Sequence, residues 1–422
     1  MAYNRREFLG LASTLLTTSA TVPTFLQRTA WAATRDSAAK DRVLVVLQLT
    51  GGNDGLNTVV PFTDDNYRRL RPKLQLADAK LHKLDARVGL HPDLEDLKKL
   101  YDQGLAGIVQ SVGYPNPNRS HFESMAIWNT APDDKQLGHG KVSEAGGGWL
   151  ARAIDENAAG GTATPSRQAL RIGSGEMPQA LLGCRVPVPS LADLAQLKHR
   201  AGLLERSRVE QQVAAWRQGA SAAGNPLLQA AIQSGVAVHA TAQQIEDLKP
   251  DTASGGRYPD TDLAKRFRLI AQLIRAGFAT SIYYTELDGF DTHSSQLFRH
   301  ANVLRTVGGA LEAFIKDVQS HALPRPVLVL VFSEFGRRVA ENASEGTDHG
   351  TAAPVLLAGA GAIPGVHGPY PDLAHLVDDD PVFAIDFRRV YATVLEQWLG
   401  VRSERVLNQR FERLDIVKPS PA

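Results

Sequence analysis

The apolar positions of this chain come in short unbroken runs separated by polar, glycine-rich turns. RVLVVLQLT, from Arg42 to Thr50, is almost wholly aliphatic and is closed by Gly51-Gly52. A run of this kind buries both faces, so it predicts a central strand of a parallel sheet. Asp93 to Gly104 has helical spacing, early acids and a terminal glycine, and Leu105 to Gly113 is a second buried strand. Two prolines make YPNPNRS a loop, whose last residue, Ser120, stands as N-cap three residues before Glu123. Strand, helix, strand, loop, helix is the opening of a doubly wound α/β sheet.

The same alternation resumes late in the chain. Asp262 to Gly277 predicts an amphipathic helix, TSIYYTEL a strand, and Leu297 to His321 a long helix. Arg325 to Phe332 and Ala353 to Ala360 are two more buried strands, and Asp386 to Gly400 is a closing helix. In between, ALRIG and VPVPSL are short strand-like runs. Residues 192–250 change character: Ala, Gln, Leu, Arg and Glu recur with helical period, which predicts a helical insertion over the sheet. The fold expected is a three-layer α/β/α sandwich with a mostly parallel sheet, residues 33–422 forming one domain.

Composition narrows the function. The chain has 422 residues, 43% hydrophobic and 22% charged, with 46 basic and 45 acidic side chains and a net charge of +1. That balance argues against an electrostatic nucleic-acid binder. At the N-terminus, Arg5-Arg6 is followed by Phe8-Leu9, a weakly apolar stretch broken by Pro23, and Ala30-Trp31-Ala32. This order predicts a twin-arginine signal peptide over residues 1–32, recognised by the twin-arginine export machinery, and a periplasmic or secreted mature chain. No later stretch is apolar enough to predict a stable membrane span. A single cysteine, Cys184, allows no internal disulfide.

Candidate chemistry falls at the strand ends, where open α/β sheets bind ligands. Asn53 and Asp54 follow the first strand, and Ser120 and His121 follow the second. Asp288, Asp291 and His293 follow SIYYTEL, Glu334 and Arg337 follow VLVLVF, and Asp348 and His349 precede PVLLAG. Oxygen and imidazole donors without thiolates suit a divalent cation such as Zn, Mn, Mg or Ca. Ser120, at a helix start, is the candidate nucleophile, with His121 as acid/base or anion contact. Each residue also has a plain structural reading: Asp54 as a turn former, Ser120 and Asp291 as helix caps, Asp348-His349 as loop ties. His91, His139 and His367 read as loop residues, and His199 and His239 as helix-face residues.

LQLTGGNDGLNTVVP, NPNRSHFESMAIWNT, GFDTH, SEFGR, GTDHG and DFRRVYATVLEQWLG, in that order behind a twin-arginine start, resemble the exported domain-of-unknown-function family numbered fifteen-hundred-and-one. That family is grouped with the alkaline phosphatase and sulfatase superfamily, which implies an α/β/α sandwich and usually two metal ions. The resemblance implies Ser120 as nucleophile, with Arg337 or His121 steadying the anion. It implies Asp54 (or Asn53), Asp291, His293, Glu334, Asp348 and His349 as metal ligands, although the superfamily's usual gap between the Asp and His drawn from one loop is wider than the single residue between Asp291 and His293. The segment from Ser333 aligns in two ways. By motif, TDHG is the superfamily's Asp-His-Gly; by strand order, Glu334-Phe335 takes that place and His349 becomes the final histidine. Strand order is the better guide, and Phe335 cannot bind metal, which leaves a second metal site incomplete unless Asp348 or His121 fills it. The activity implied is metal-dependent hydrolysis of small phosphate or sulfate esters. The alternative is a non-catalytic relative that binds a partner in the cell envelope.

Overall fold

The computed structural model describes residues 42–138, 147–159, 169–184, 188, 190–191, 257–278, 280–320 and 325–418. The expected signal peptide and the expected helical insertion lie outside the described residues.

The buried runs become strands within a residue or two of their predicted bounds, except VPVPSL, where the described strand is Ser190–Leu191 alone. They are β1 (Val43–Leu49), β2 (Ala106–Gly113), β3 (Ala169–Ile172), β4 (Ser190–Leu191), β5 (Ile282–Leu287), β6 (Val327–Ser333) and β7 (Ala353–Gly359). Short strands β8 (Gly365–His367), β9 (Leu376–Val377), β10 (Asp380–Pro381) and β11 (Ile385–Asp386) follow. The main sheet has the order β8-β2-β7-β6-β1-β5-β3-β4, with β11 also paired to β2.

The sheet is mixed. β1 runs parallel to β5 and β6, but β7 is antiparallel to both of its neighbours, β2 and β6. This reversal matters for the site. The start of β7, not its end, lies at the edge where β1, β5 and β6 finish.

Helices cover both faces because both sets of alternate residues are apolar. Val43, Val45 and Leu47 face one core, shared with α1 (Glu95–Asp102), α4 (Asp262–Arg275) and α5 (Gln296–Ser320). Leu44 and Val46 face the other, shared with α2 (His121–Thr130), α3 (Trp149–Ala159) and α6 (Phe387–Thr393). Helix α3 was not expected from sequence; its Trp149 is fully buried and stacks on Tyr391 at 4.0 Å. The predicted closing helix instead continues from α6 into a π-helical turn over Val394–Trp398.

Helix α4 begins where sequence placed it, because the Thr261 hydroxyl accepts a hydrogen bond from the Ala264 N–H. Thr261→Ala is expected to cost about 1 kcal/mol, read as a lower urea midpoint at unchanged slope.

Candidate metal centre

Two glycines let the edge close up. Gly51 has φ 118°, and a Cβ there would sit 2.4 Å from the Asp291 nitrogen. Gly52 has φ 74°, and a Cβ there would sit 2.3 Å from the Phe335 ring. The end of β1 therefore lies against both the loop after β5 and the segment after β6. That segment folds back on itself: the Arg338 N–H donates to the Asp348 carbonyl, and the Gly350 N–H to the Gly336 carbonyl. The fold-back brings the SEFG and TDHG halves together.

His121, Asp291 and His349 place one ligand atom each within 4.8 Å of one another, and this cluster can coordinate a metal ion. Asp291 Oδ1 is the hub, 3.6 Å from His121 Nε2 and 3.3 Å from His349 Nε2. His293 joins at the rim, its Nε2 3.1 Å from the same oxygen and 2.9 Å from His349 Nε2.

Each imidazole is held by its far nitrogen. His121 Nδ1 meets Glu334 Oε1 at 2.8 Å, His293 Nδ1 meets Asp348 Oδ1 at 3.2 Å, and His349 Nδ1 meets the Arg119 carbonyl at 2.7 Å. All three partners only accept, so Nδ1 carries a hydrogen, and in the neutral rings Nε2 is the atom left to bind a metal. Two facts suit a cation at this cluster. His121 Nε2 is buried without a hydrogen-bond partner. The Nε2 atoms of His293 and His349 lie 2.9 Å apart beside the Asp291 carboxylate, so this group needs a positive species among its members, a proton or a metal ion.

The charges around the cluster follow from these contacts. The bond to Glu334 raises the pKa of His121 against the opposing effect of burial. Burial lowers that of His349. Burial would raise the Asp291 carboxyl, but the Arg337 guanidinium, 2.5 Å away, outweighs it and holds the carboxyl low. A hydrogen bond from Asn342 is the main cause of the lowered Asp348 pKa.

Several predicted site residues take other places. Asp54 is fully buried and does not reach the cluster. Its Oδ2 accepts from Arg71 Nη1 at 2.6 Å and from the Gln296 amide, and its Oδ1 accepts from the Leu56 and Asn57 N–H groups. Burial would raise its pKa; the charge of Arg71 and the bonds around it bring it below the ordinary value. Arg337 is also buried and spends its N–H groups on the carbonyls of Gly51, Gly52, Phe290 and Thr347 and on Asp291. It anchors the hub carboxylate and has little left for a substrate anion. Glu334 accepts from the Gly51 N–H, His121 and the Ser333 hydroxyl, and Asp348 from His293 and Asn342, so both orient histidines. Asp288 only turns back to the Gly289 N–H. Phe335 packs its ring 4.9 Å from both His121 and His349.

Ser120 is the exposed N-cap of α2, beside His121, and its side chain makes no capping bond. Sequence reasoning missed Arg119, because its contribution is a backbone carbonyl, and Asn342, which ties His293 and Asp348 together.

Solved structures with a similar course of chain include the periplasmic domain of EcEptC from Escherichia coli in complex with Zn, at 8% identity and TM-score 0.38, covering 77% of this chain and 75% of that one. The phosphoethanolamine transferase EptA from Neisseria meningitidis, at 10% identity and TM-score 0.37, covers 77% of this chain and 49% of that one. An alkaline phosphatase from the Antarctic bacterium TAB5, at 8% identity and TM-score 0.30, covers 76% and 91%. No curated protein matches the sequence. One family model matches residues 41–414, and the chain belongs to that family, described as a protein of unknown function, DUF1501.

Proposed function

We propose that this protein is an exported metal-dependent hydrolase of phosphate or sulfate esters. The observation that carries the proposal is the convergence of three Nε2 atoms on Asp291 Oδ1, with every Nδ1 tied back. Histidines held in this way by acceptors are what a bound metal needs to be oriented and to stay basic. His121, Asp291, His349 and, at the rim, His293 would hold the ion. Donors that are mostly imidazole favour Zn, with Mn behind it, over Mg or Ca, which prefer all-oxygen shells. Export is supported by the order of Arg5-Arg6, the apolar stretch and Ala30-Trp31-Ala32.

When bound, the ion would draw charge from the ester oxygens and favour ionised hydroxyl groups nearby. The chain's own residues do the rest. The Ser120 hydroxyl gives up its proton as its oxygen attacks phosphorus or sulfur, the ester bond breaks, and the leaving alkoxide takes up that proton to depart as the alcohol. Water then cleaves the serine ester, returning Ser120 and releasing phosphate or sulfate. The N-terminus of α2 favours the anion there. Arg337 fixes Asp291, Glu334 fixes His121, and Asp348 fixes His293. Asp54 takes no part in this scheme.

The test is a panel of phosphate monoesters, phosphate diesters and sulfate esters offered to Zn- or Mn-loaded protein. Ser120→Ala is expected to bring hydrolysis to background; undiminished turnover in that variant would remove Ser120 as nucleophile. A second reading, a non-catalytic envelope-binding protein, is favoured by the Phe335 ring against two of the histidines. It predicts metal binding without turnover of any ester.

A further inference from the structure

Two separate segments bring most of the metal cluster together. Asp291 and His293 flank Thr292 in the loop after β5, and Asp348 and His349 directly follow Thr347 on the fold-back after β6. The Nε2 atoms of His293 and His349, 2.9 Å apart, come one from each segment. Their spacing therefore depends on how one segment lies on the other. The two touch closely. The Thr347 N–H donates to the Thr292 carbonyl at 3.2 Å, and a Cβ on Gly346 would sit 2.2 Å from the His293 carbonyl carbon.

One buried side chain also bonds to both. Gln296, the first residue of α5, is fully buried, as are Thr292 and Thr347. Its Oε1 accepts from the Thr292 hydroxyl at 3.1 Å and from the Thr347 hydroxyl at 2.6 Å. Both lone pairs of that oxygen are thereby used, one on each segment. The other end of the amide donates to Asp54 Oδ2. An ionised carboxylate only accepts, so Asp54 decides which end of the amide faces the threonines. Asp54 is held in turn by Arg71, 2.6 Å away.

We propose that Gln296 is a positioning residue of the metal centre, whose amide oxygen keeps the Asp291–His293 and Asp348–His349 segments in register. The proposal rests on the metal-centre reading and is independent of whether an ester is cleaved. Without Gln296 two buried hydroxyls lose their shared acceptor, and each segment shifts to satisfy its own. The four ligands then no longer meet one ion at their best distances. Asp54, expected from sequence to touch the metal, acts at two removes from it by fixing the amide. A glutamine that only packed the start of α5 would change stability and leave the ligand geometry alone.

The test compares Gln296→Met, Thr347→Val and Thr347→Ser with the unaltered protein. Zinc affinity is read by equilibrium dialysis, and ligand geometry by the visible absorption of the Co(II)-loaded protein. Gln296→Met and Thr347→Val are each expected to weaken zinc binding about tenfold and to alter the cobalt spectrum, with one metal equivalent still bound at saturation. Thr347→Ser keeps the hydroxyl and is expected to restore both. Should Gln296→Met fail to fold, Thr347→Val, which leaves Asp54 paired with Gln296, carries the test alone. Unchanged affinity and spectrum in Thr347→Val overturn the proposal, whatever happens to the melting temperature. So does a Thr347→Ser variant as impaired as Thr347→Val, since packing and not the hydroxyl would then matter. Failure of the unaltered protein to bind zinc or cobalt overturns the metal centre itself and this proposal with it. Metal binding with the expected pattern, but without turnover of any ester, sinks only the hydrolase reading.

Discussion

Zinc added to metal-free protein is expected to raise the melting temperature, and His349→Ala is expected to abolish the rise. The three imidazoles and Asp291 Oδ1 are already gathered in the folded chain, whereas residues 121, 291 and 349 are far apart in an unfolded one. Binding to the folded state alone stabilises it by about 2.7 kcal/mol at a hundredfold excess over Kd. In a chain of this length that is a shift of about 3–5 °C. If ~10–16 kcal/mol of binding is spread over four ligands, one ligand is worth about 3 kcal/mol, or more than a hundredfold in affinity. Glu334→Gln keeps all four ligands and weakens the tie that orients His121, so a loss of ~10–100-fold is expected. Equilibrium dialysis with metal analysis reads both variants. Unchanged affinity in His349→Ala would remove the cluster as a metal site. Because protons compete with metal for Nε2, and Glu334 strengthens the hold of His121 on its proton, affinity is expected to fall as the medium becomes acid.

Arg71→Met is expected to destabilise the protein by about 3–5 kcal/mol while leaving metal stoichiometry unchanged. Arg71 and Asp54 are both fully buried, and Arg71 Nη1 lies 2.6 Å from Asp54 Oδ2. Removing the cation leaves a carboxylate in the interior with only the Gln296 amide and two backbone N–H groups to compensate it. Losing one member of a buried pair costs far more than losing both. The double variant Arg71→Met/Asp54→Asn is therefore expected to recover part of the loss. Chemical denaturation reads the stability, and metal analysis separates the roles. A metal equivalent lost in Asp54→Asn would return Asp54 to the ligand set.

The strands were legible because a strand buried on both faces leaves an uninterrupted aliphatic run, as in Val43–Leu49 and Val327–Ser333. Helix α3 was not, because its sequence opens among glycines and mixes small and charged residues. Asp291, His293 and His349 could be picked out from their positions at strand ends, and His349 could be paired with them once strand order was followed. The reversal of β7 is the reason: it turns a pre-strand histidine toward the same edge as the post-strand ones. Asp54 and Arg337 turn to interior partners for one common reason. An acid or a base after a strand looks the same whether it faces a ligand or the interior, and what decides is a partner distant in sequence. For Asp54 those partners are Arg71 and Gln296; for Arg337 they are the carbonyls of Gly51, Gly52, Phe290 and Thr347. Backbone acceptors such as the Arg119 carbonyl leave no mark in the sequence at all.

The place of β1 in the sheet sets a clock on synthesis. The strand that leaves the ribosome first among the described elements is the one wanted in the middle. Leu44 pairs with Ile282, and Val43 with Val327. Elongation at ~5–20 residues per second needs roughly 12–50 s to cover the ~240 residues before the nearer of these partners exists. Throughout that interval a strand with both faces apolar has no native neighbour on either side. The nascent chain must be kept from aggregating through this segment, and closure of the β1–β5 and β1–β6 pairs, being so distant in sequence, is a slow late event.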